Sequence, residues 1–205
     1  MREKVRYLIG AFLLATLVAL SARFVFVENF RVSSDSMRPN LMAGDLLLVS
    51  KFNYALRIPF TSIEFYRFRN PIPGEIVLFT LPEFGMDTYV KRVIALEGDT
   101  VQIKDGVLTV NGVQATYGDV ATTPGMKREI LAQQTERLVI PDRNKGGDYG
   151  PAKIPRGHFF VLGDNRGESV DSRKWGPVPL SYLRGKAWFV WMSLAQGGHA
   201  RYVSN

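Results

Sequence analysis

The chain reads as a mostly β protein. A barrel-like core, or two coiled antiparallel sheets, carries a small inserted subdomain and follows one N-terminal transmembrane helix. Three observations predict this. An almost unbroken apolar run occupies residues 7–27. Most of the rest is short apolar or alternating runs set off by turn residues. A polar stretch over 117–150 interrupts that rhythm. The 205 residues fit one domain with a sizeable insertion. A 46% hydrophobic and 22% charged composition excludes bulk disorder.

Tyr7 to Val27, as a helix, would span about 31 Å, close to a hydrocarbon core of about 30 Å. Arg23 lies near its end, where a long side chain reaches the interface, with Phe24, Phe26 and Phe30 at the membrane boundary. Being apolar on every face, the run does not suit a soluble amphipathic helix. Arg2, Lys4 and Arg6 mark residues 1–6 as the cytoplasmic end, which puts the rest of the chain outside. Ala19-Leu20-Ser21 is also an acceptable small-x-small cleavage site, so a cleavable secretory signal competes with an anchor. The span length favours the anchor, and both readings export the remainder.

A first β segment covers 28–116. Asp45–Val49, Glu75–Phe79 and Tyr89–Ile94 read as strands. Residues 100–117 form a meander, with Asp105-Gly106 and Asn111-Gly112 as two-residue hairpin turns. The second β segment, 151–205, holds strands at His158–Leu162 and Ala187–Trp191. Within the insertion, KREILAQQTERL (127–138) is the best helix candidate.

Composition narrows the chemistry. With Cys 0 there is no thiol nucleophile, disulfide framework or thiolate metal site. The two histidines, His158 and His199, form no metal-binding pair, and no cofactor is implied. The net charge of +7 is diffuse and accompanied by no nucleic-acid motif, so acidic lipid is the better partner. No G-x-S-x-G and no paired Asp-Thr/Ser-Gly segments occur, which leaves a serine with a lysine base. A lysine can act as a base only when it is neutral, and burial favours the neutral amine. Lys91, flanked by Tyr89, Val90, Val93 and Ile94, is such a lysine, although alternation would equally point it to solvent. Arg92 faces the other way, so one of the pair is expected inward or at a cleft. Ser36 lies in a Ser-rich segment that by itself reads as a polar linker.

Four segments change the weighing. Ser34-Asp-Ser-Met-Arg-Pro-Asn-Leu41 resembles the nucleophile segment of bacterial type I signal peptidases, Ser-x-Ser-Met-x-Pro-Thr-Leu. Tyr89–Asp99 resembles their lysine segment, and Gly74-Glu-Ile-Val-Leu-Phe79 their Gly-Asp-x-Val-x-Phe strand. Gly163-Asp-Asn-Arg followed by Ser169-Val-Asp-Ser-Arg173 is similar to their most specific motif. The four stand in family order behind the apolar run. Asp35, Asn40 and Glu75 depart from common family residues, and none of these changes removes a catalytic group.

The resemblance implies a membrane-anchored serine endopeptidase that removes signal peptides from exported preproteins after Ala-x-Ala-like sites. It implies Ser36 as nucleophile and Lys91 as base, Ser34 as an oxyanion donor, and Ser169 orienting the amine. Asp171, Arg173 and Asp164 become structural supports. Val32 and Val90 are expected to wall shallow pockets for small side chains. Phe52, Tyr54, Phe60, Phe65, Tyr66 and Phe68 form either a lipid-dipping surface or core. The expected location is the bacterial inner membrane, single-pass, with the catalytic part on the outer face. Rival readings are a dedicated Ser/Lys peptidase for one substrate, such as a pilus precursor, an inactive β scaffold, and a Ser-Lys self-cleaving repressor.

Overall fold

The computed structural model describes residues 2–57, 64–84, 87–131, 136–142, 147–193 and 197–203, and their side chains apart from 2–3, 17–26 and 84. Helix α1 (Arg2–Phe26) runs directly into strand β1 (Val27–Arg31). Among the described residues no helix is long and apolar enough to cross a membrane. The side chains of Arg23, Phe24 and Phe26 fall outside them.

The strands then follow in order. β2 (Asp45–Ser50) alternates buried and half-buried residues, as a one-sided strand must. β3 (Ala55–Arg57) and β4 (Glu64–Arg67) form a small ribbon. β5 (Ile76–Leu81) and β6 (Asp87–Leu96) are centrally placed and covered on both faces. β7 (Thr100–Lys104), β8 (Val107–Val110) and β9 (Val113–Gln114) are the expected meander. Asp105 and Gly106 sit at φ 51° and 80°, and Asn111 and Gly112 at 52° and 80°. These are the paired left-handed conformations that a tight hairpin turn requires.

β10 (Thr116–Asp119), β11 (Lys127–Ile130) and β12 (Arg137–Val139) form a separate three-stranded sheet. The expected helix over 127–138 is therefore overturned: both described ends of that segment are strands, and residues 132–135 lie outside the description. Its helix-favouring residues yield to tertiary burial, because Glu129 lies directly opposite Arg137 and both are enclosed. β13 (Tyr149–Lys153) pairs with β7. β14 (His158–Leu162), β15 (Val178–Pro179), β16 (Leu183–Ser193) and β17 (Arg201–Tyr202) complete the chain, with a single helical turn, α2 (Ser172–Trp175), before β15.

Every described ladder is antiparallel. The main sheet runs β1-β2-β16-β5-β6-β14-β15, with β17 against β16. It stays open, so the barrel-like core expected from the sequence is not closed. Its last strand is two residues long and ends in Pro179, which has no N–H to offer a further neighbour.

Val32, Met37 and Leu41, from the loop after β1, pack with Leu47, Ile76, Leu78 and Val90. Burying such side chains contributes about 1.5–3 kcal/mol each, so an irregular loop is held as firmly as a strand. The aromatic segment divides. Tyr54 is buried, Phe52, Phe65, Tyr66 and Phe68 are exposed, and Phe60 lies outside the described residues. Tyr54 is tied down through Glu75, which accepts from its hydroxyl at 2.8 Å, from Arg69 at 3.0 Å and from Lys186 Nζ at 3.0 Å. Burial pushes the Glu75 carboxyl up, and these donors outweigh it, so its net shift is downward.

Gly185 marks a tight strand crossing, since a Cβ there would stand 2.5 Å from Ser50 O. Gly185→Ala is expected to cost about 1–3 kcal/mol through overpacking, read as a lower midpoint in denaturant at unchanged slope.

Candidate active site

Two adjacent cations sit near the middle of β6, Lys91 and Arg92. Alternation alone would bury one and expose the other. Both are enclosed, at 4% and 1% exposure, because β6 is covered on both faces. What separates them is pairing. The Arg92 guanidinium makes a two-pronged bond to Asp164, Nε to Oδ1 and Nη2 to Oδ2 at 2.8 Å each, and Nη1 donates to Gly74 O at 2.7 Å. The amine of Lys91 instead donates to Ser36 Oγ at 2.6 Å. Burial pulls the amine down from 10.5 to about 8, opposed by the charges of Asp171 and Asp164 and assisted by Arg173.

Ser36 stands on a turn held by backbone hydrogen bonds. Arg38 N donates to Asp35 O at 3.1 Å and Leu41 N to Met37 O at 2.9 Å. Asp35, in place of the commoner glycine, accepts from Ala43 N at 3.1 Å and so closes the loop. Asn165 N donates to Ser36 O at 3.0 Å, and Asn165 Nδ2 to Asp35 O at 3.2 Å. Gly163 permits this approach: a Cβ there would lie 2.5 Å from Ser36 O and 2.2 Å from Ser169 Oγ.

The remaining expected residues divide into those that meet the pair and those that support it. Ser34 Oγ lies 3.2 Å from Ser36 Oγ. Ser169 comes close, but its buried hydroxyl has no hydrogen-bond partner among the described residues, so the expected bond to Lys91 is not made. Asp171 and Arg173 form the expected ion pair, Nε to Oδ1 at 2.8 Å and Nη2 to Oδ2 at 2.9 Å. Asp171 also accepts from Gly163 N at 3.0 Å. Val32 and Val90 line a cleft of about 380 Å³ that also holds Ser34, Ser36 and Lys91.

Two contributors escaped the sequence reading. Asn40 donates to Asp164 Oδ2 at 2.7 Å and to Leu138 O at 2.8 Å, joining the Ser36 loop to the Arg92 partner. Arg92 itself had only its place beside Lys91 to recommend it. His158 contacts Arg156 O through Nδ1 at 2.9 Å and His199 is exposed, so neither joins the site.

An amine of lowered basicity against a serine hydroxyl, at the floor of a cleft in an antiparallel sheet, is an arrangement for acyl transfer. The sequence model described as "Signal peptidase, peptidase S26" matches residues 5–192. Signal peptidase I of Pseudomonas fluorescens is 33% identical, aligned over 86% of this chain and 68% of its own. That of Pseudomonas aeruginosa is 34% identical over the same shares. A crystal structure of a signal peptidase I from Enterococcus faecalis V583 aligns over 58% of this chain and 97% of its own, at 27% identity and TM-score 0.40. The protein is a peptidase. It belongs to the signal peptidase family, peptidase S26.

A buried amine that loses basicity on folding lowers stability. Between about 8 and 10.5 the unfolded chain holds a proton that the folded one has released, so stability rises with pH across that window. Lys91→Met is therefore expected to raise stability at pH 7 by up to about 3 kcal/mol. The gain should vanish above pH 10.5, as measured by denaturant unfolding across that range.

Proposed function

We propose that this protein is a membrane-anchored serine endopeptidase that removes signal peptides from exported preproteins, with Ser36 as nucleophile and Lys91 as general base. The observation that carries the reading is the 2.6 Å contact between Lys91 Nζ and Ser36 Oγ, made by an amine only 4% exposed. Once the amine is neutral the contact reverses, and the serine O–H donates to the nitrogen lone pair. As Oγ bonds to the scissile carbonyl carbon, its proton passes to Nζ. The resulting ammonium then protonates the leaving amine as the C–N bond breaks. Water, deprotonated by the same nitrogen, hydrolyses the acyl-enzyme. The Ser36 N–H and the Ser34 hydroxyl are the proposed donors to the oxyanion. Ser169 is proposed to take up the amine as it turns between serine and leaving group, and Asp171, Arg173 and Asp164 to support the site.

The topology supports a binding mode. β14 pairs with β6 only from Arg92 onward, while β5 covers the other edge from Asp87. The edge over Asp87–Lys91 therefore faces the cleft, where an extended substrate would add as a strand. Val32 and Val90 would limit the pockets to small side chains, in keeping with Ala-x-Ala sites.

The membrane part of the proposal rests on residues 7–27 as a single-pass anchor with a cytoplasmic N-terminus, in the bacterial inner membrane. It is supported by the exposed aromatics Phe52, Phe65, Tyr66 and Phe68, with Phe52 and Phe68 ring centroids 5.0 Å apart. The anchor would confine the site to the surface where a substrate's own apolar segment is embedded.

Ser36→Ala and Lys91→Ala are each expected to reduce cleavage of a preprotein in detergent by about a thousandfold or more while leaving the circular dichroism spectrum unchanged. Lys91→Arg should fail equally, since a guanidinium stays protonated. Substantial activity in Lys91→Ala would reject the pair. In the wild type, kcat should rise tenfold per pH unit below the amine's value and level off above about 8, because only the neutral amine accepts the proton.

A further inference from the structure

None of the residues lining the cleft comes from the inserted sheet β10–β12. That sheet nevertheless carries a buried charge cluster. Glu129, on β11, is fully buried, and its Oε1 accepts from Arg137 Nε at 2.7 Å and from Arg166 Nη2 at 2.6 Å. Arg137 belongs to the same sheet. Arg166 does not, since it ends the turn Gly163–Arg166 beneath Ser36.

The turn is joined to the inserted sheet a second time through the backbone. Ile140, just after β12, donates to Asp164 O at 2.9 Å and accepts from Arg166 N at 2.8 Å. From the other side of the turn, Asn165 holds the carbonyls of Asp35 and Ser36, and Asp164 holds Arg92 beside Lys91. Two consecutive residues, Asp164 and Asn165, therefore hold the surroundings of Lys91 and Ser36 respectively. Arg166 is their link to an anion outside the site. A carboxylate buried between two guanidinium groups is costly to assemble, and removing it leaves unpaired charge.

We infer that Glu129 is a positioning residue: through Arg166 it braces the turn that sets Ser36 against Lys91, and this is the task of the inserted sheet. The inference rests on the dyad reading above. Burial raises the Glu129 carboxyl, but Arg166 and Arg137 outweigh it and hold it at about 2, so it stays ionised throughout the working pH range. Tyr117 is the other titratable group facing it, its hydroxyl pushed up to about 12 by burial and by Glu129. The charged groups acting on the Lys91 amine are Asp171, Asp164 and Arg173. Arg166 acts in turn on Asp164. Loss of the Glu129 charge leaves the Arg166 cation uncompensated beside Asp164, which weakens the field that keeps the amine protonated.

The test compares Glu129→Gln with Glu129→Gln/Arg137→Gln, the second of which removes one charge of each sign and keeps the cluster's net charge. Each is assayed as full-length protein in detergent on a preprotein, with kcat normalised to the folded fraction from circular dichroism. The inference expects kcat per folded molecule to fall about tenfold or more in both, with KM within about twofold of wild type. It also expects the pH midpoint of kcat in the single variant to move to lower pH. A kcat per folded molecule at the wild-type level in either variant would overturn it, as would a loss that follows the folded fraction alone. Ser36→Ala runs alongside. Activity there would defeat the dyad reading, whereas an inactive Ser36→Ala beside fully active Glu129 variants would defeat only the role of Glu129.

Discussion

A buried lysine gives up its charge only if the acids around it are already occupied. Two carboxylates, Asp164 and Asp171, act on Lys91, and either one as a free partner would hold the amine protonated. Each is instead gripped by an arginine with two parallel bonds, Asp164 by Arg92 and Asp171 by Arg173. Guanidinium geometry suits this, since its fork takes both carboxylate oxygens at once. Desolvation then prevails at Lys91, whose amine contacts a hydroxyl and not a carboxylate, and the proposed proton transfer depends on that imbalance.

The same pairs fasten the site together. Asp164 joins the strand carrying Lys91 to the loop carrying Ser36, through Arg92 on one side and Asn40 on the other. Asp171 holds the backbone of Gly163, where even a methyl group would strike Ser36 O. Charge balance and geometry thus share a small set of residues. A substitution among them is expected to change both together, which is why activity and stability must be measured separately here.

Beside Gly163 lies a buried hydroxyl, that of Ser169, with no hydrogen-bond partner among the described residues. Such a group costs free energy unless something satisfies it. The proposed cycle requires the amine to turn from the serine toward the leaving group and back, and Ser169 is the hydroxyl proposed to receive it. The loop of Ser36 is held by apolar burial of Met37 and Leu41 and by the Asp35 side chain, so it stays fixed without being a strand itself.

Much of the sheet was legible because short-range chemistry dictates it. The Asp-Gly and Asn-Gly hairpins, the alternation of Asp45–Ser50 and the apolar run of His158–Leu162 each express a local rule about turns or faces. The Ser36 and Lys91 segments were legible through resemblance and residue type. Burial of Lys91 and Arg92 together was decided by tertiary structure, because a strand covered on both faces no longer separates inside from outside by alternation. So was the conversion of 127–138 from a plausible helix to two strands, where the cross-strand charge pair of Glu129 with Arg137 outweighs propensity worth tenths of a kcal/mol per residue. The partners of Asp164 and Glu129 lie up to more than a hundred positions away. No periodicity encodes such distances, and only the folded chain brings them within bonding range.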